Sequence, residues 1–227
     1  MPNILEIDSV IKSFGRNQLL TDIYLKCETG DIIGLLGRNG SGKSTLLKIL
    51  FGAMPAERKF IRIDGKILNK PYLSKGEICF LPQHLLFPSG FSLNTIVKFY
   101  LQKEQIPVFF DDPLLCRLRN NQKSELSGGE CRYAEIKLLL NTNVKFLLLD
   151  EPFNGLSPLL IEAVKKMIQQ HSRHKGIILT DHDYRNVLDV ANRYYLLSDG
   201  GLKVIKESEQ LVRWGYMSSS AANMLDF

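Results

Sequence analysis

The sequence predicts an α/β fold: a core built on a mostly parallel sheet, an N-terminal antiparallel β subdomain, and a small inserted helical subdomain. Three observations carry this. Short all-apolar runs ("KFLLLD", "GIILTD", "RYYLLSDG") alternate with amphipathic stretches in the second half, as in parallel strands covered on both faces. A glycine-rich loop lies between an apolar strand and a helical pattern in the first half. Between the halves, from Leu93 to Leu126, strand-like runs give way to helix-like segments. The 227 residues read as one domain over 1–227, with the helical subdomain at approximately 84–140 and a C-terminal tail at 206–227.

Each element has its own signal. "ILEI", "LLTDIYLKCE", "DIIGLLG" and "FIRIDGK", between Ile4 and Gly65, are strands bounded by turn residues. "KSTLLKILF", Lys43 to Phe51, is helical and closes at Gly52 with Pro55 beyond. "LNTIVKFYLQKE" is helix-like, and "PVFFDDP" should break the helical block. "SPLLIEAVKKMIQQH" and "YRNVLDVAN" are amphipathic helices between the later strands. There is no internal repeat, and "SSSAA" near the end reads as loose.

Composition excludes some classes of function. The chain is 44% hydrophobic and 23% charged, with a net charge of +5 and no dense Lys/Arg block, so no direct nucleic-acid binding is expected. No apolar run approaches the roughly 18 to 20 residues of a membrane span, and "MPNILEIDS" lacks the basic flank and apolar stretch of a signal peptide. A cytoplasmic protein is expected. Cys27, Cys79, Cys116 and Cys131 form no CxxC pair and read as reduced, buried thiols.

The chemistry is concentrated in three motifs. "GRNGSGKST" fits GxxxxGK[ST] with Gly37, Gly42, Lys43 and Ser44, and Arg38, Asn39, Gly40, Ser41 and Thr45 complete the loop. Its amides and the helix start cradle phosphate, Lys43 reaches the terminal phosphates, and Ser44 offers a hydroxyl to Mg²⁺. With a strand before and a helix after, this marks a P-loop NTPase core. "VKFLLLDEP" ends a buried strand on Asp150, placed to hold Mg²⁺ through water, and on Glu151, a candidate general base. "SELSGGEC" then supplies a second anion-binding helix start, at Ser127, Gly128 and Gly129.

Together these motifs resemble the ATP-binding-cassette ATPases, from about Phe14 to Gly201, with "LSGGE" similar to that family's signature. The resemblance implies an ATP-binding and ATP-hydrolysing, Mg²⁺-dependent subunit of a transporter. Two copies would close on ATP as a homodimer, the signature of one meeting the phosphate loop of the other. It also implies separate membrane-spanning permease subunits and a peripheral place on the inner face of the membrane. Phe14 stands where the family stacks an aromatic on adenine, although it would also serve as strand-end core. Gln83 in "FLPQH" matches the residue that touches Mg²⁺ and the attacking water; His182 in "ILTDHD" matches the switch histidine. His84, His171 and His174 receive no role.

Two positions depart from the family pattern. Glu130 replaces a common glutamine in the signature, and Ser157 replaces a common aspartate in a loop that helps lock paired cassettes. The alternative is a soluble cassette ATPase acting on ribosomes or nucleic acid. Such members carry tandem cassettes or a coiled-coil arm, and the 42 residues from 84 to 125 leave no room for an arm. A subunit that binds ATP without turnover is disfavoured by Lys43, Glu151 and His182. The stretch "HLLFPSGFSLNTI" suits either a groove for a helix of a membrane subunit or packing between subdomains. "LSGGE", "DEPFNG" and "TDHD" are similar in wording to cassettes of lipopolysaccharide-export and branched-chain amino-acid systems, but cargo contacts lie on other subunits.

Overall fold

The computed structural model describes residues 2–218, so 219–227 of the expected tail, with most of "SSSAA", lie outside the described residues. The strands are β1 (Ile4–Phe14), β2 (Asn17–Glu28), β3 (Ile32–Leu36), β4 (Arg58–Ile63), β5 (Lys66–Ile67), β6 (Ile78–Leu81), β7 (Phe146–Asp150), β8 (Gly176–Thr180), β9 (Arg193–Ser198) and β10 (Gly201–Ile205). An antiparallel four-stranded sheet has the order β2-β1-β4-β5. The six-stranded sheet runs β10-β9-β3-β8-β7-β6, parallel throughout except for the antiparallel edge strand β10.

The strand "DIIGLLG" belongs to the second sheet, although it sits in sequence among the N-terminal strands. All five residues of β3 are buried, as are those of β7 and β8, and a run with no exposed face fits only a strand covered on both sides. Alternate residues of β7 feed two separate cores. Leu147 and Leu149 join Leu81, Val97, Phe109 and Ile136 on the helical side, whereas Phe146 and Leu148 join Leu5, Leu25, Leu46 and Leu47 on the side of the small sheet. Each such leucine contributes about 1.5–3 kcal/mol of burial, so this strand alone ties both layers together.

The helices are α1 (Lys43–Phe51), α2 (Leu93–Tyr100), α3 (Gln105–Phe110), α4 (Pro113–Arg117), α5 (Gly128–Leu140), α6 (Pro158–Ser172), α7 (Tyr184–Val190) and α8 (Ser208–Arg213). The expected break at "PVFF" is instead helix α3. Pro107 falls in its first turn, where the missing N–H has no intrahelical partner to lose, and Phe109 and Phe110 bury edge to face at 5.0 Å. Asp112 caps α4 by accepting from the Leu114 and Leu115 amides at 2.9 and 3.2 Å. Its other oxygen accepts from Tyr133 Oη at 2.6 Å and Lys137 Nζ at 3.2 Å, which pins the short helices to α5.

The segment read as a tail carries α8, whose Leu211 is fully buried. All four cysteines are free; Cys27 and Cys131 are buried, but Cys116 is exposed, contrary to expectation. Among the described residues no helix is long and apolar enough to cross a membrane.

Candidate functional site

The phosphate loop leaves β3 at Gly37 and enters α1 through Gly42, which caps the helix at φ 108°. No acidic residue occupies the first turn and no side chain caps it, so the positive end of the helix is left open. A Cβ on Gly37 would lie 2.6 Å from Ser41 Oγ and 2.7 Å from the Leu197 carbonyl, so only glycine fits. Lys43, 9% exposed, folds back across the loop and donates to the carbonyls of Gly37 at 2.7 Å and Arg38 at 3.2 Å. Burial lowers its pKa, against the pull of Glu151, Asp150 and Asp181.

Asn39, Gly40, Gly42, Lys43, Ser44 and Thr45 line one wall of a polar cleft, and Gln83 and Glu151 face them. Arg38 and Ser41 are turned the other way, toward a second, small cavity shared with Trp214 and Tyr216. Arg38 Nη2 donates to the Gly215 carbonyl there at 2.8 Å. Ser41 Oγ is buried without a hydrogen-bond partner among the described residues.

Asp150 ends β7 at 1% exposure, and its Oδ1 accepts the Ser44 hydroxyl at 2.8 Å. Its Oδ2 is buried without a partner among the described residues. Burial raises the Asp150 pKa, opposed by the Ser44 hydrogen bond. Ser44 Oγ, the unpaired Asp150 oxygen and the nearby Gln83 amide form an oxygen-rich group that fits a hard divalent cation such as Mg²⁺.

Glu151 takes φ 50°, a left-handed backbone costing about 1 kcal/mol or more for a residue other than glycine. It is held there by its own amide, which donates to the Thr180 carbonyl at 2.9 Å. The turn aims its carboxylate at the cleft, where Gln83 Nε2 donates to Oε2 at 2.8 Å. His182 Nδ1 lies 3.2 Å from the buried Asp181 carboxylate with its ring 57% exposed, and it does not line the cleft. Phe14 closes β1 at 51% exposure, with Lys12 Nζ 5.0 Å from its ring centroid, and also stands outside the cleft lining.

The second glycine-rich start is built as a helix cap. Ser127 precedes α5, and its hydroxyl accepts from the Glu130 amide at 3.2 Å. Glu130 Oε2 in turn accepts from the Ser127 amide and hydroxyl, each at 2.9 Å. Glutamate at this position therefore closes a capping box, and those bonds hold its carboxyl below the usual range. Gly129 abuts the loop after Glu151: a Cβ there would sit 2.8 Å from the Gly155 carbonyl. None of Ser127, Gly128 and Gly129 lines the phosphate cleft, so one chain does not bring its two helix starts together.

Two functional candidates had no motif to announce them. Arg132 and Glu135 on α5 are 2% and 0% exposed. Arg132 donates to the Pro82 carbonyl at 2.8 Å and to the Gln83 carbonyl, and Glu135 accepts from the amides of Leu86 and Phe87. This pair therefore holds the backbone on both sides of Gln83 from the helix that begins at Ser127. The available signal was the spacing of opposite charges three residues apart in a helix otherwise rich in apolar residues.

A phosphate loop and an acidic strand end on a parallel sheet define a nucleoside-triphosphate-binding protein of the P-loop class. The chain belongs to the ABC transporter family, whose family model matches residues 20–154, as an ATP-binding subunit. It is 30% identical over 224 residues to the lipopolysaccharide export system ATP-binding protein LptB of Haemophilus influenzae, covering 92% of this chain and 93% of that protein. The protein of the same name from Escherichia coli K12 is 31% identical over 213 residues, 87% of this chain and 88% of its own. Among solved structures, an ATP-binding subunit of an ABC transporter superposes with a TM-score of 0.81 at 21% identity, covering 97% of this chain and 98% of that one. A nucleotide-free ATP-binding cassette from an ABC transporter gives 0.76 at 20% identity over the whole of both chains. ABC ATP-binding proteins are ATPases in general.

Proposed function

We propose that the chain is a Mg²⁺-dependent ATPase that works as a homodimer and drives membrane-spanning permease subunits from the inner face of the membrane. The observation that carries the reading is the meeting of Lys43, Ser44, Gln83 and Glu151 in one cleft, with buried Asp150 bonded to Ser44 behind it. Lys43 and the loop amides bind the phosphates. Ser44, Asp150 and Gln83 would hold Mg²⁺, which would supply charge neutralisation for the phosphates. Glu151 orients the attacking water and takes its proton, Gln83 steadies that carboxylate, and His182 joins when the site closes. Water attacks the γ-phosphorus and the bond to the ADP oxygen breaks, giving ADP and phosphate.

Phe14 stacks on adenine in this reading, and Ser127, Gly128 and Gly129 complete the site of the partner copy. A groove of about 480 Å³, lined by Phe51, Phe80, Pro82, Leu86 and Tyr100 with mainly apolar walls, opens between α1, β6 and α2. We assign it to a short apolar helix of the permease. His84 and Leu86, from the stretch "HLLFPSGFSLNTI", belong to its lining. The helical subdomain would transmit the nucleotide state through Arg132 and Glu135. The names of the relatives make lipopolysaccharide export the first cargo to test.

The test uses tagged Glu151→Gln held with ATP and Mg²⁺. ATP binding is retained, and hydrolysis falls by at least about 10²-fold. A pull-down from gently solubilised cells recovers polytopic membrane proteins, whose identity gives the cargo. Turnover near wild type would remove Glu151 as the base. Ribosomal proteins without membrane subunits would move the chain to the soluble class of cassette ATPases.

A further inference from the structure

We propose that Asp181 is a positioning residue for hydrolysis: its buried carboxylate fastens the turn that carries Glu151 to the segment that carries His182, and so aligns the two. This rests on the reading that Glu151 takes the proton of the attacking water and that His182 joins it. β7 and β8 end side by side, with Asp150 paired to Thr180. Beyond that pair the chain turns away, and its amides need acceptors other than strand partners. The Glu151 amide donates to the Thr180 carbonyl at 2.9 Å, Pro152 has no N–H, and the Phe153 amide donates to Asp181 Oδ2 at 3.2 Å. Thr180 and Asp181 therefore hold the strained turn on both sides of Pro152. Phe153, 2% exposed, belongs to the core on the helical side, which fixes the far end of the turn.

The other carboxylate oxygen attends to the histidine. Asp181 Oδ1 accepts from the Asp183 amide at 3.0 Å and lies 3.2 Å from His182 Nδ1. One atom thus holds both the backbone just past His182 and the ring itself. With Nδ1 beside Asp181, Nε2 is the nitrogen left for the nucleotide. Asp181 is 3% exposed, and among the described residues no lysine or arginine forms an ion pair with it. A carboxylate buried without a permanent cation is costly, and such groups are concentrated where function requires them.

Both oxygens of Asp181 accept from amides, which asparagine cannot reproduce: its oxygen accepts one, and its NH₂ group meets the other donor. Asp181→Asn in the full chain keeps the size of the side chain and loses one charge-assisted bond, which corresponds to about a 10- to 100-fold change in rate. The kcat for ATP hydrolysis should fall by about that factor, with the KM for ATP and the Kd for a fluorescent trinitrophenyl-ATP within about twofold of wild type. In a His182→Ala background the same change should lower kcat by less than about threefold, because no histidine is left to align. Unchanged kcat overturns the proposal. So does a rise in KM or Kd as large as the fall in kcat, or a loss in the His182→Ala background as large as in wild type. Asp181→Ala, which offers the amides no competing donor, serves if Asp181→Asn does not fold. If neither variant melts cooperatively, the carboxylate serves the stability of the fold and the proposal is overturned. Glu151→Gln and His182→Ala are measured alongside: wild-type kcat in either removes the underlying reading of the site, a result distinct from an inert Asp181→Asn.

Discussion

Arg132 shows how much of this site depends on single buried charges. Its guanidinium binds the carbonyls of Pro82 and Gln83 and lies 3.5 Å from Glu135 Oε2. Burial raises the Glu135 pKa, while the amides of Phe87 and Leu86 and the charge of Arg132 oppose it. Removing one member of such a pair strands the other in low dielectric. Arg132→Met should cost about 3 kcal/mol or more and lower the melting temperature by roughly 10 °C, read by thermal denaturation. A shift within about 2 °C would mean that Glu135 finds other compensation. Lys43, Ser44, Asp150 and Glu151 were legible because their chemistry needs fixed spacing beside glycines or a strand end. Arg132 and Glu135 were not, because a charged pair on a helix reads as a solvated face until the neighbouring loop is seen to cover it.

The elements repeat the lesson. "PVFFDDP" reads as a break because proline and two aspartates are turn residues, yet Pro107 and Pro113 both fall in first turns of helices, where proline costs nothing. Ser157 caps α6 without a side-chain hydrogen bond, and Pro158 opens that helix. Lys175, between α6 and β8, closes the far end of α5 by donating to the carbonyls of Leu140 at 2.6 Å and Thr142 at 2.9 Å. Burial at 4% exposure pushes its pKa down to about 8 from 10.5. The unfolded chain then binds more protons than the folded one between those values. The cost of charging Lys175 is therefore complete below pH 8, and stability rises with pH across that window. Urea unfolding of wild type and Lys175→Met at pH 7.5 and 9.5 isolates the effect. Wild type should gain on the variant as pH rises, by at most about 1.4 kcal/mol per unit. A difference independent of pH would show that the amine stays charged throughout.

At the scale of the whole molecule, the open question is the second glycine-rich helix start. Ser127 and Gly129 lie against Glu130 and Gly155 of their own chain and away from their own phosphate cleft. Pairing across a two-fold axis would give each cleft a signature from the other copy. Ser127→Arg and Lys43→Ala subunits should each be inactive alone. Mixed in equal amounts they should recover about a quarter of wild-type hydrolysis, because half the dimers are mixed and each of those has one intact site. Complete inactivity of mixed dimers shown to form would overturn the shared site.

By itself the sequence determined the local chemistry: a glycine loop that only backbone amides can use, a buried strand ending in two carboxylates, and a serine with two glycines at a helix start. Each depends on neighbours in the chain, and local backbone geometry follows from local residues. Tertiary structure decided what depends on residues far apart. It put "DIIGLLG" at the centre of the parallel sheet, turned Arg38 from the cleft toward Gly215, and set Arg132 and Glu135 around Gln83. Long-range contacts of this kind arise from burial, which is shared among many side chains and leaves no short spacing in the sequence to read.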